Sequence, residues 1–535
     1  MSDKLALTRR TVFGLAAGLT AGALGMPDAA RAATRGGKMI FARQEDCKIL
    51  DPAMAELNAD IWVMTNLLGL LLEPSADGKS QQAGLATKWD WSDGGKTLTL
   101  ALRKDVKFAD GAPFSADGVK FTLDRITALK DGPWSALVES IDQVNVVDPL
   151  KVVLKLKHPD PALLAVLGMF VTAILPKAAV MALPGATVED KMKGFVDKPI
   201  GTGPFVMTEW RRDDVMRTKR NPHYWKTDAD GKPLPYIDEL EFQIIKDDAT
   251  RLLKLKAGEI DGSEIIPYAR VAELKADPNL RVELWPSTKT VIYIMNQRPT
   301  LKDGSKNPLS DVRVRQALNY AVNKQAIIQI TTQGMGTPMK SFLSSATPLM
   351  YGPEPLYPYN IAKAKALLKE AGHENGFDLT VLSLAGNQDE TTNSTAMQQM
   401  FAAVGVKLKI EQIEMASRLS RFKEGDFQMR GFYWTDDLAD PSEATSYYVY
   451  SETNGALHSG WVDKKADALF LASQQELDPK KRADDYKELQ ETYNGIAPII
   501  YLYEVPYTVA FRKKIKGFVQ LPLGNNIFEG VSVES

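Results

Sequence analysis

Short runs of β-branched and aromatic residues alternate with amphipathic helical patterns along almost the whole chain. That alternation constrains the fold more than any other feature. Strand patterns fall at 38–43, 97–102, 144–157, 205–209, 215–219, 240–245, 290–295, 499–503 and 507–511. Between them lie helical patterns at 61–72, 115–128, 248–256, 311–330, 360–371, 391–404, 416–423 and 464–494. A hydrophobic period near two marks a half-buried strand, and one near 3.6 marks a helix. Strands and helices interleaved throughout, without a fixed-period repeat, predict an α/β or α+β architecture. A chain of 535 residues exceeds what one core supports, so two to four domains are expected.

Lys plus Arg number 65 and Asp plus Glu 67, for a net charge of −2. So even a balance gives no global electrostatic reason to bind nucleic acid. Cys47 is the one cysteine and the four histidines (His158, His223, His373, His458) lie far apart, so neither a disulfide framework nor a metal site is expected.

Residues 1–32 are read as an address rather than as fold. Thr8-Arg9-Arg10-Thr11-Val12-Phe13 is a twin-arginine pattern, an uncharged Gly/Ala-rich run spans 12–26, and Ala30-Arg31-Ala32 is an A-x-A cleavage site. The uncharged run is too short for the roughly 20 residues of a membrane span, so the chain is read as exported across a bacterial inner membrane. The apolar stretch 162–175, bracketed by Pro161 and Pro176, is likewise too short to span and is expected to be a buried core helix.

Signatures of covalent chemistry fail in turn. Gly201-Thr202-Gly203-Pro204 resembles half a dinucleotide fingerprint, but a strand pattern follows it, so no helix N-terminus is available for a pyrophosphate. Gly78-Lys79-Ser80 lacks the upstream glycine of a phosphate loop, where Glu73 stands. There is no G-x-S-x-G elbow, and Cys47 has no histidine near it in sequence.

From Leu102 to Val119 the chain reads LRKDVKFADGAPFSADGV, with Asp110-Gly111 set for a tight turn and Ser115 for a helix cap. This stretch resembles the LRxxVKFxDGxPFTAxDV signature of the family 5 extracellular solute-binding proteins, the dipeptide and oligopeptide receptors of ATP-binding cassette importers. Further ordered similarities are Gly201-Thr202-Gly203-Pro204-Phe205 with Trp210, Arg220-Asn221-Pro222-His223-Tyr224-Trp225, Lys256-Ala257-Gly258-Glu259-Ile260-Asp261, and the stretches 311–321 and 362–372.

The resemblance implies an α/β, two-lobed periplasmic binding protein of the type II-like, Venus flytrap kind, with an extra subdomain in the first lobe. The first lobe is expected to be discontinuous (33–55, 195–285 and 505–535), the extra subdomain to occupy 56–194, and the second lobe 286–504. The implied protein is a soluble periplasmic monomer with no cofactor and no catalytic residues. It takes up a peptide or peptide-like solute in the interlobe cleft and delivers it to permease subunits at the inner membrane. A non-peptide solute, such as an opine-like conjugate or an oligosaccharide, is the alternative.

The resemblance also nominates site residues. Aligned on Trp434 and Pro441, the segment Gly431–Pro441 is similar to the family's GWxxDxxxP type, and Asp437 falls where relatives bind the peptide α-ammonium group. Asp436 competes for that role. Tyr433 and Thr435 fall where the family offers main-chain groups to a peptide bound as an added strand. Trp434, with Tyr447 and Tyr448, is a candidate wall of the side-chain pockets. Glu56 falls where some oligopeptide receptors place a pocket acid, and Asn296 ends the strand that opens the second lobe. The chain departs from the dipeptide receptors in one respect. They carry an arginine for the peptide carboxylate in the loop after the strand at 379–384, where this chain has Ala385-Gly386-Asn387-Gln388-Asp389-Glu390-Thr391-Thr392.

Overall fold

A computed structural model describes residues 34–130, 132–452 and 455–534. The leader pattern at 1–32 lies outside them.

Two large sheets organise the chain. The first has seven strands in the order Leu280–Trp285, Tyr507–Arg512, Gly262–Glu264, Lys38–Arg43, Glu239–Ile244, Val215–Arg220 and Phe205–Arg211. Its centre is parallel: Lys38 pairs with Glu239 and Arg43 with Ile244. The second has six, in the order Thr337–Pro338, Ile499–Glu504, Thr290–Met295, Met429–Trp434, Phe377–Leu384 and Val406–Ile413. A four-stranded antiparallel sheet (Ala86–Ser92, Thr97–Leu102, Lys151–Leu156, Ile141–Asp148) stands beside the first. This is the two-lobed mixed α/β fold that the sequence predicts.

Local chemistry explains several of these elements. The helix Asp248–Ala257 begins where the Asp247 carboxylate accepts the Thr250 N–H and ends at Gly258, whose φ of 79° only glycine adopts freely. The turn at 110–111 closes with Gly111 at φ 86° and the Asp110 carboxylate accepting the Ala112 N–H. The first core is aromatic at its centre, with the Phe41 ring 5.0 Å from Phe528 and 6.0 Å from Phe511.

Three expected helices are broken. The stretch 162–175 is helical only over Leu163–Val166 and Phe170–Thr172, because the Thr172 hydroxyl donates to the Val166 and Met169 carbonyls and competes with the helical ladder. The stretch is nonetheless buried as expected. The pattern at 311–330 splits into Val312–Ala321 and Lys324–Thr332, since Asn323 caps a new helix by accepting the Ala326 N–H. That at 464–494 splits at Asp478-Pro479, a cap followed by proline at the first helical position.

The chain passes from the first sheet to the second through 286–289 and returns through Val505 and Pro506. These crossings are tied together: the Val505 N–H donates to the Lys289 carbonyl at 3.2 Å and the Ser287 hydroxyl to the Val505 carbonyl. Two adjacent connections of this kind are what a hinge requires. Across the gap between the halves, Leu438 follows the last turn after strand Met429–Trp434. It is 1 % exposed and belongs to the hydrophobic cluster that the first sheet shares with the four-stranded sheet.

Candidate functional site

Strand Met429–Trp434 carries the site into the space between the sheets. On one edge it pairs along its whole length with Thr290–Met295, Thr290 opposite Trp434 and Met295 opposite Met429. On the other edge the parallel strand Phe377–Leu384 meets it only at Met429 and Arg430. Beyond Gly431, whose carbonyl is taken by the Arg418 guanidinium, no strand of the described residues covers that edge. An uncovered edge inside a cleft is a template for one more extended segment.

Side chains alternate along the strand and its extension. Tyr433, Thr435 and Asp437 point into a cavity of about 380 Å³ between the two halves. The opposite wall comes from the first sheet, through Arg43, Glu264, Tyr507 and Thr508, and from helix Asn58–Leu67, through Trp62. Exposed Glu56 lies at its margin. Asp437 also borders a second cavity of about 260 Å³, which continues past it between Asn66, Phe170, Trp225 and Leu523. There Lys226 Nζ is neutralised by Glu73 at 2.7 Å and Glu529 at 3.1 Å.

Around Asp437 the electrostatics are unusual. Asp436 is fully engaged: its carboxylate accepts the Thr347 hydroxyl and the Trp434 indole N–H, both at 2.6 Å. Asp440 forms a buried bidentate pair with Arg482, both contacts at 2.7 Å. Asp437 has neither kind of support. Among the described residues no cation lies within ion-pairing reach of its carboxylate. Burial, reinforced by the Asp436 charge, pushes its pKa up to about 7. Asp436 is likewise pushed up to about 7, burial outweighing its two donors. Glu443, whose carboxylate accepts the main-chain N–H groups of Asp437 and Leu438 at 3.0 and 2.9 Å, is pushed well above the carboxylate range by burial and by the two aspartates. A carboxylate held dry, partly accessible and unneutralised gains most from a cationic ligand.

The structure thus brings together Asp437, Tyr433, Thr435 and Glu56. It does not bring Trp434 or Asn296 with them. Trp434 takes the other face of its strand, its indole against Tyr447 and Tyr448 at centroid distances of 4.8 and 6.0 Å, and it steadies Asp436 instead of lining the cavity. Asn296 lies past the far end of strand Thr290–Met295, buried. Its amide donates to the Gly425 and Phe427 carbonyls at 3.0 and 2.7 Å, and its oxygen accepts the Arg298 N–H. Asp436, the competitor of Asp437, is spent on Thr347 and Trp434. The Cys47 thiol is pushed up to about 12 by burial, which suppresses the thiolate.

Lys289, Arg43, Trp62, Tyr507 and Gln520 join the cavity without any sequence signal. They come from five separate parts of the chain up to about 480 residues apart. Among the described residues no group of three or more His, Cys, Asp and Glu side chains is placed to hold a metal ion. Among the described residues no helix is long and apolar enough to cross a membrane.

Comparisons with known proteins agree with this fold. The family model described as bacterial extracellular solute-binding proteins, family 5 (middle), matches residues 81–456. The chain is 34 % identical over 481 residues to the dipeptide-binding protein of Escherichia coli, covering 84 % of this chain and 86 % of that protein. Among solved structures it is similar to HbpA2 from Haemophilus parasuis (TM-score 0.80, 29 % identity, 93 % of this chain and 100 % of that one). It is also similar to the periplasmic binding protein DppA from Helicobacter pylori in complex with the peptide STSA (TM-score 0.76, 26 % identity, 94 % and 99 %).

Proposed function

The chain belongs to the family 5 bacterial extracellular solute-binding proteins, and we propose that it is the exported receptor of an ATP-binding cassette importer, binding peptides or peptide-like solutes between its halves. The observation that carries this reading is Asp437. It is a carboxylate without a cationic partner, beside an uncovered strand edge, in a cavity walled by both sheets. An α-ammonium group at Asp437 makes a charge-assisted hydrogen bond, worth about 1.5–3 kcal/mol net, while the ligand backbone extends the sheet along Tyr433 and Thr435. Recognition through main chain tolerates many side chains. Glu56 at the margin contributes a further acid toward the ligand.

The leader at 1–32 carries the chain out of the cytoplasm, and release of the solute unaltered to permease subunits completes the cycle. Closure stabilised only by the liganded state couples binding to recognition by the permease. Native mass spectrometry of the protein purified from its own host tests the reading: a co-purified peptide or amine-bearing solute is expected. A bound solute without an amine contradicts it.

A further inference from the structure

The loop at 385–392 offers no cation for a ligand carboxylate. The cavity contains two cations among its lining residues, Arg43 and Lys289. Arg43 is committed, its Nε 3.1 Å from Glu264 and its Nη1 2.9 Å from the Ala59 carbonyl. Lys289 is not.

Lys289 sits in the crossing that leads into strand Thr290–Met295, and its main chain is held there from both sides. Its N–H donates to the Ser287 hydroxyl at 3.1 Å and its carbonyl accepts the Val505 N–H at 3.2 Å. Its position is therefore fixed by the hinge, opposite the extension of strand Met429–Trp434 that carries Thr435 and Asp437. The ammonium group rests over the Tyr433 ring, 5.2 Å from the centroid. Among the described residues no carboxylate lies within ion-pairing distance of it, Asp437 included, and Asp389 acts on it only from further away. Burial lowers its pKa, the counterpart of the upward shift at Asp437. Two opposite charges thus share one cavity without neutralising each other.

We propose that Lys289 is the carboxylate-binding group of this cleft, so that the ligand is dipolar, with its ammonium end on Asp437 and its carboxylate end on Lys289 above Tyr433. The proposal rests on the reading of Asp437 given above and adds the second end of the ligand. It places carboxylate recognition on the hinge connection, so that the group that binds the carboxylate is part of the element that bends on closure. A lysine is a point charge without the fork geometry of arginine, so it accepts carboxylates at varied angles and suits ligands of varied length.

The test uses the full mature protein and two probes: a library of dipeptides and tripeptides with free C-termini, and the same library as C-terminal amides. Thermal shift ranks the members, and calorimetry measures the best binder and its amide. For the wild type, amidation is expected to weaken binding at least tenfold. In Lys289→Met that difference collapses to below threefold, and in Lys289→Arg it persists. Circular dichroism and the urea midpoint of both variants are expected to match the wild type. If the amide penalty is the same in Lys289→Met and wild type, the carboxylate binds elsewhere and this proposal alone falls. If neither library binds, the peptide reading falls and takes the proposal with it. Should Lys289→Met fail to fold, an unchanged amide penalty across Lys289→Arg and Lys289→Gln overturns the proposal equally.

Discussion

The Glu443 carboxylate accepts the main-chain N–H of Asp437 at 3.0 Å, so the residue that presents an unneutralised carboxylate to the cavity is itself positioned by a second one. The same oxygen takes the Leu438 N–H at 2.9 Å, which pins the turn linking strand Met429–Trp434 to helix Ser442–Tyr448. Replacement by Gln keeps an acceptor oxygen, whereas Ala leaves two buried N–H groups unpaired. Glu443→Gln is therefore expected to bind within about threefold of wild type. Glu443→Ala is expected to lose about tenfold in affinity and about 1–3 kcal/mol in stability. Calorimetry with urea unfolding of both variants checks this.

A pH dependence follows from the same cluster. Asp436 and Asp437 are raised in the folded state to about 7, against about 3.9 for an unfolded aspartate. Between these values the folded, unliganded protein holds more protons than the unfolded chain. By linkage its stability falls as pH rises from about 4 to about 7. Thermal melts of ligand-free protein are expected to move upward from pH 7.5 to pH 5, with a smaller rise in Asp437→Asn.

Binding carries the opposite sign. An ammonium ligand needs the ionised carboxylate, so affinity weakens as pH falls from 8 to 5.5, by about thirtyfold for one group with a pKa of about 7 that must lose a proton. Calorimetry at pH 6.5 in buffers of different ionisation enthalpy is expected to show proton release on binding. Proton uptake excludes the assignment.

Leu438 joins the two halves in the present arrangement, coming from the segment after the second sheet's strand and belonging to the hydrophobic cluster shared by the first sheet and the four-stranded sheet. Truncation to Ser removes apolar area buried only when the halves meet, about 2 kcal/mol for a leucine side chain. Leu438→Ser is expected to weaken ligand binding by about tenfold to thirtyfold and to enlarge the radius of gyration of the liganded protein by scattering. The fold of each half stays intact by circular dichroism.

Trp434 separates a structural from a ligand role. Its indole N–H is one of two side-chain donors to the buried Asp436 carboxylate, and Trp434→Phe removes it while keeping a smaller aromatic ring. A loss of about 1–3 kcal/mol in stability is expected from urea unfolding, with little change in the ranking of ligands.

How much of this is legible in the chain depends on the distance over which the parts act. Tyr433, Thr435 and Asp437 stand two apart, so the end of the strand and the segment that continues it put all three toward one cavity, and that period is visible in the residues themselves. The same period places Trp434 on the opposite face; the family resemblance pointed toward the cleft and the alternation decided otherwise. Asn296 ended the right strand at the wrong end: the strand enters from the hinge at Thr290, and the cleft lies there. Lys289, Arg43, Trp62 and Tyr507 meet only because two crossings fold distant stretches onto one another, and no local pattern encodes that meeting. Likewise Asn323 and Asp478-Pro479 are ordinary cap signals inside long helical patterns, where periodicity masks them.

The central claim is that Asp437 is the counter-charge for a ligand ammonium group, and calorimetry tests it most directly. The best-binding free peptide and its N-acetyl derivative are titrated into wild type and Asp437→Asn. In the wild type, acetylation is expected to weaken binding at least tenfold, and Asp437→Asn is expected to weaken the free peptide by a similar factor while leaving the acetylated one within about threefold. Equal affinity of Asp437→Asn and wild type for the free peptide, with the fold intact, contradicts the account.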